Sequence, residues 1–205
     1  GSFQASVEEG VRDAGRFLKE AGAQAVKLEG GREVADLTRR LTSVGIPVMG
    51  HLGLTPQMVH QFGGFKVQGR TAAAAERLRE DALLLEEAGI FALVLEGIPW
   101  QVAEVITKEL RIPTIGIGAG SSCDGQVLVT NDLLGLFDDF TPKFVKRYAN
   151  LKETIAAAFT RYRQEVKAGE FPGPEHAFRL DEGEGRRWQE QLDRRRRQVK
   201  TLRRG

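Results

Sequence analysis

The sequence predicts a parallel α/β fold, either a doubly wound sheet or a (β/α)8 barrel. Three observations carry this. Short apolar runs alternate with longer amphipathic stretches along most of the 205 residues. The apolar runs are continuous rather than alternating, the mark of strands covered on both faces. Each of the four clear runs is followed by a helical stretch, the rhythm that builds parallel sheets. With 41% hydrophobic residues the chain has material for one sizeable core and not for two.

The elements follow in order. Residues 6–21 put Val7, Val11, Phe17 and Leu18 at helical spacing, with Ser6 as N-cap and Glu9 completing a capping box. Residues 25–29 (AVKLE) read as a strand closed by Gly30-Gly31, and 33–43 as a helix. Gly45-Ile46-Pro47 turns into a second strand over 48–53. Residues 71–88 are rich in Ala, Leu and Glu and predict a strong helix. A third strand runs over 91–96, and Pro99 opens the next helix. The fourth strand is 114–118, a weaker fifth is Val127–Val129, and residues 141–168 read as a long closing helix. A complete barrel has eight strands and takes about 250 residues, so a barrel built from these five lacks about three.

Charge and composition exclude several classes. The net charge is +2, which names no partner. Residues 181–205 carry nine Lys and Arg against five Asp and Glu. This basic tail reads as a solvated or disordered extension with partly helical character, Trp188, Leu192 and Val199 being weak apolar positions. Its run of four arginines attracts phosphates, but no aromatic platform accompanies it, so nucleic acid is not an expected partner. The expected organisation is a catalytic domain over 1–180 and the tail over 181–205. No apolar run approaches the roughly 20 residues that span a bilayer. Gly1-Ser2-Phe3-Gln4 begins no signal peptide. The single cysteine, Cys123, makes no internal disulfide, which agrees with a cytoplasmic location.

Ligands of parallel α/β folds bind at the carboxyl ends of the strands. The first strand ends in Lys27 and Glu29, two apart and so on one face. The second delivers His51 and the third Glu96. Lys27 offers a positive charge to a substrate carboxylate, and Glu29 a hard oxygen to a magnesium ion. Glu96 follows an apolar run, a setting that favours the neutral carboxyl and suits a general base. Together they suggest metal-assisted removal of a proton beside a carbonyl. Gly116-Ile-Gly118-Ala-Gly120 lacks the spacing and the helix start of a dinucleotide fingerprint, and reads instead as a tight strand-to-loop turn. Cys123 reads as a free structural thiol. His60 and His176 read as structural, the latter tying down the chain end.

Several blocks carry a family resemblance: VKLEGG (26–31), PVMGHLGLTPQ (47–57), GGFKVQGR (63–70), VLEGIP (94–99), IPTIGIGAGSSCDGQVLV (112–129) and PEHAF (174–178). In this order they resemble ketopantoate hydroxymethyltransferase from residue 1 to about 178. The resemblance implies a (β/α)8 TIM barrel of the phosphoenolpyruvate/pyruvate superfamily type. It implies transfer of a hydroxymethyl group from 5,10-methylenetetrahydrofolate to 3-methyl-2-oxobutanoate, giving 2-dehydropantoate on the way to pantothenate and coenzyme A. It also implies magnesium and a homo-oligomer, often a decamer. By motif, Lys27 and His51 match substrate-binding residues, Glu29 a carboxylate at the metal, and Glu96 the proton acceptor. The family's first three strands, with two metal-binding aspartates, are not found ahead of GSFQAS, so the chain alone is expected to show little transferase activity. Two other functions fit the same residues. One is a carbon–carbon lyase of the same superfamily acting on a 2-oxo acid. The other is an inactive fragment working through an oligomer surface or its basic tail.

Overall fold

The computed structural model of the chain describes residues 5–55, 67–137 and 140–202. His60, Gly1–Gln4 and parts of two motif blocks (56–57 and 63–66) lie outside the described residues. The chain divides into two compact units, residues 1–150 and 151–205.

The first unit is a five-stranded parallel sheet with helices packed on it. Its strands are β1 (Val26–Glu29), β2 (Val48–Gly53), β3 (Ala92–Glu96), β4 (Thr114–Ile117) and β5 (Gly125–Gln126). Four helices connect or flank them: α1 (Val7–Ala21), α2 (Ala35–Ser43), α3 (Ala72–Glu87) and α4 (Trp100–Glu109). A short α5 (Thr130–Leu133) follows β5. The strands stand in the order β1-β2-β3-β4-β5, every neighbouring pair parallel. A doubly wound sheet reverses its order at a switch point. No reversal occurs among the described residues, and the one-way winding is compatible with a barrel-like fold.

The pairing register sorts the side chains onto two faces. Val26 pairs with Val48, and Leu28 with Gly50, which pairs with Leu93. A side-chain carbon on Gly50 would meet Ile90, Leu93 and Leu85, so this face looks at the helices. The core lies there, around Leu28, Leu41, Val48, Leu85, Leu93 and Ile106. The opposite face carries Lys27, Glu29, His51, Val94 and Glu96, since side chains alternate along a strand.

Helix termini follow local chemistry. The Ser6 hydroxyl accepts from Glu9 N at 3.1 Å and caps α1. The Thr71 hydroxyl accepts from Ala74 N at 3.2 Å and caps α3. Each such cap contributes about 1 kcal/mol.

Three sequence expectations are corrected. Phe17 is 59% exposed and lies off the packed face of α1. That face is instead Val7, Gly10, Val11, Ala14 and Leu18. A side-chain carbon on Gly10 would strike Leu37, so small residues let α1 approach α2 closely. The fifth strand is Gly125–Gln126, not Val127–Val129. Asp124 Oδ2 accepts from Thr114 N (2.8 Å) and Thr114 Oγ1 (3.1 Å), which pins the loop at the start of β4 and starts the pairing one residue later. The closing helix starts at Leu151 rather than 141. The described residues before it are held irregular by side-chain and backbone bonds. Arg147 Nη2 donates to Phe137 O (3.0 Å) and Thr141 Oγ1 (2.6 Å), and Tyr148 N donates to Leu133 O (2.8 Å).

The second unit holds α6 (Leu151–Ala168), a turn at Pro174–His176 and α7 (Glu182–Leu202). Phe171 packs edge-on against Tyr162 (5.5 Å between centroids) and against the His176 ring (5.1 Å). His176 Nδ1 accepts from Gly173 N at 3.2 Å, so this histidine fastens its own turn. The basic tail forms a regular 21-residue helix, with Arg187 bonded to Glu184 at 2.8 Å. Among the described residues no helix is long and apolar enough to cross a membrane.

Candidate active site

The four strand-end residues meet on the face turned away from the helices. Glu29 stands level with His51 across the β1–β2 pair, and His51 level with Val94 across β2–β3. Glu96 stands level with Gly53, two residues beyond His51. A side-chain carbon on Gly53 would strike the Glu96 carbonyl oxygen, so the glycine lets the ends of β2 and β3 lie close together. His51 is buried at 2% exposure, while the Lys27 side chain is half-exposed.

The distances form a chain of contacts. Lys27 Nζ lies 3.3 Å from His51 Nδ1 and 3.8 Å from Glu29 Oε1. His51 Nδ1 lies 3.8 Å from Glu29 Oε1. His51 Nε2 lies 3.1 Å from Glu96 Oε2. An ammonium group only donates, so Nδ1 accepts from Lys27 and the ring proton sits on Nε2, facing Glu96. That Nε2–H is close to the carboxylate but not aligned for a hydrogen bond. Catalytic contacts commonly stay misaligned until a substrate arrives. An ammonium, an imidazole and two carboxylates are thus gathered at one edge of the sheet.

The strand-end loops are shaped for close packing. Gly118 has φ 64°, in the left-handed region, and a side-chain carbon there would strike the Phe144 ring. This is the strand-to-loop turn expected from the glycine run. Cys123 is buried and free, 3.9 Å from Thr107 Oγ1. Asp124, the next residue, is exposed, and the N–H of Thr114 holds its carboxyl below the usual carboxylate range.

One pair beside the site escaped the sequence reading. Arg32, three residues after Glu29, donates from Nε to Asp81 Oδ1 at 2.7 Å and from Nη2 to Glu80 Oε2 at 3.1 Å. Asp81 is buried on α3, and a side-chain carbon on Gly31 would collide with its carboxylate. Burial pushes the Asp81 carboxyl above its ordinary range, outweighing the opposing pull of Arg32. The loop that leaves β1 is therefore fastened to α3. No local pattern announces a pair 49 residues apart.

The ketopantoate hydroxymethyltransferase family model matches residues 1–174. The chain belongs to this family. Curated relatives named 3-methyl-2-oxobutanoate hydroxymethyltransferase agree. The protein of Syntrophus aciditrophicus (strain SB) is 64% identical over 177 residues, covering 86% of this chain and 65% of that relative. The protein of Syntrophobacter fumaroxidans is 61% identical over 186 residues, covering 91% and 66%. The protein of Clostridium botulinum (strain Alaska E43 / Type E3) is 58% identical over 183 residues, covering 89% and 66%. The chain thus spans just under two thirds of the length of these family members. Residues 175–205, which include all of α7, lie beyond the matched family segment.

Proposed function

We propose that the chain carries the keto-acid half of a hydroxymethyl transfer from 5,10-methylenetetrahydrofolate to 3-methyl-2-oxobutanoate, giving 2-dehydropantoate for pantothenate biosynthesis. The observation that supports this most is the Lys27–His51–Glu96 contact chain in a member of this family. Lys27 reaches the site as a half-exposed cation and holds the substrate carboxylate by a charge-assisted bond. His51, its proton on Nε2, orients the Glu96 carboxylate and steadies negative charge as it forms. Glu96 takes the proton from C3, and the resulting carbanion bonds to the one-carbon unit. Water supplies the hydroxyl oxygen, and the folate leaves as tetrahydrofolate. A cytoplasmic, homo-oligomeric enzyme, decameric as in the family resemblance, belongs to the same reading.

Magnesium belongs to it as well. Magnesium takes one or two carboxylates and completes its shell with water and substrate oxygens. The buried Glu29 carboxylate offers one such oxygen donor beside the cluster. Among the described residues no three His, Cys, Asp or Glu side chains gather to hold an ion, so Glu29 gives one corner of a site and not a whole one. When bound, the ion supplies positive charge against the keto oxygen. Closure of the sheet into a complete barrel by further strands is part of this proposal.

The test is exchange of the C3 proton of 3-methyl-2-oxobutanoate into deuterium oxide, followed by NMR with magnesium present. Exchange above the buffer rate, abolished in Glu96→Gln, supports the proposal. Equal rates in both proteins would sink it.

A further inference from the structure

We propose that α7 is a docking helix for duplex nucleic acid, held by the phosphates that flank a major groove. This stands apart from the transferase reading. The helix lies beyond the matched family segment, and no residue of the candidate active site belongs to it. Its charge is divided along its length. Residues 181–193 hold all five acids of the tail and two of its arginines. Residues 194–205 hold seven Lys and Arg and no acid.

That division also accounts for the tail being a helix. Glu182 and Glu184 lie in the first turn, at the positive end of the helix dipole, and the cations gather towards the negative end. Arg187 bonds Glu184 at 2.8 Å, and Arg196 lies 3.9 Å from Asp193. The result is a preformed rod with its positive charge concentrated at one end.

The placement of the cations selects the partner. Arg194, Arg195, Arg196 and Arg197 are consecutive and exposed. At 3.6 residues per turn they take up all sides of the helix rather than one face. A flat anionic surface meets one side of a helix, whereas a groove sets phosphates along both flanks. The major groove of B-DNA is about 12 Å wide and admits one helix. The 21 residues of α7 span about 31 Å, close to one duplex turn. A helix that lies in a membrane interface needs an apolar face. Here Trp188 is 55% exposed and Leu192 follows one turn later, but the next position of that stripe is Arg195. The missing aromatic platform counts against single strands, while duplex phosphates ask only for cations. Phosphate contacts carry no sequence information, so the docking is indifferent to base sequence.

The experiment uses the full chain and the fluorescence anisotropy of a labelled mixed-sequence DNA duplex of about 20 base pairs, two helical turns. The comparison probes are one strand of that duplex and vesicles of phosphatidylglycerol with phosphatidylcholine, at equal phosphate concentration. Wild type is expected to prefer the duplex to both, with a log–log salt slope of about −3 to −4 for four phosphates. Combined Arg194→Gln, Arg195→Gln, Arg196→Gln and Arg197→Gln is expected to bind at least about tenfold more weakly and to flatten that slope. Gln191→Pro keeps every charge but breaks the helix, a loss read by circular dichroism. It is expected to bind the duplex about tenfold more weakly, with Gln191→Ala unchanged. Equal duplex affinity in Gln191→Pro and Gln191→Ala overturns the groove assignment, because charge alone then suffices. Tighter binding to the vesicles or to the single strand than to the duplex overturns it too. So does a duplex affinity that the four arginine changes leave intact, or no duplex binding by wild type at low salt.

Discussion

His51 presents Nε2 to Glu96 Oε2 across 3.1 Å, with its other ring nitrogen turned to Lys27. The imidazole thus keeps an ammonium and a carboxylate apart that would otherwise neutralise one another. Replacing His51 with Leu keeps the buried volume and removes both nitrogen contacts. C3-proton exchange is expected to fall by roughly 10²-fold, within the range for acid–base groups. An unchanged rate would show that the ring only fills space.

Lys27 is half-exposed, so its head group can be removed without opening the core. Lys27→Met is expected to weaken 3-methyl-2-oxobutanoate binding by roughly ten- to a hundredfold, the worth of one charge-assisted bond. Calorimetry measures the affinity, and thermal melting is expected to show the fold intact. A loss of melting temperature without loss of affinity would assign Lys27 a structural role.

Gly31 has no room for a methyl group, because Asp81 fills the space. Gly31→Ala is expected to push Asp81 off Arg32 and destabilise the first unit by about 1–3 kcal/mol in urea denaturation. Since Glu29 precedes this loop directly, the same change is expected to weaken magnesium-dependent keto-acid binding.

Asp124 titrates with a definite sign. Its folded carboxyl sits below the ordinary range because the ionised form accepts the Thr114 N–H. The unfolded chain therefore takes up its proton first as acid is added. The contribution of Asp124 is full above about pH 4, the ordinary aspartate value, and is lost as pH falls through the lower folded value. Wild type is expected to exceed Asp124→Asn in stability at neutral pH, with the gap narrowing below pH 4 or so. A gap that widens in acid would contradict this assignment.

Leu93 is fully buried where β3 meets the helices. Leu93→Ala is expected to cost about 2–5 kcal/mol in chemical denaturation, the range for a large aliphatic side chain cut out of a core. Its neighbour Val94 faces the site and is expected to cost less when shortened.

The four longer strands were legible because each is an apolar run, and the helices because of their apolar spacing, helped by the caps Ser6 and Thr71 on α1 and α3. Lys27, Glu29, His51 and Glu96 were legible for a related reason, since parallel strands deliver their last residues to one edge. What escaped depended on partners distant in sequence. Phe17 has the right spacing for a core position, but Gly10 and Ala14 decide how α1 lies because Leu37 needs their space. Val127–Val129 has the composition of a strand, yet the bonds of Asp124 to Thr114 start the pairing at Gly125. Arg32 and Asp81 are ordinary charges until folding sets them side by side.

The one-way strand order works as a fixed ruler along the sheet. Glu29, His51, Val94 and Ile115 stand in one level row across four strands. A strand that docks in parallel along the outer side of β1 in the same register extends that row, whichever polypeptide provides it. An acidic residue at the matching step would arrive beside Glu29 without further adjustment. On the proposed magnesium reading, that row is the step at which a further carboxylate would share an ion with Glu29.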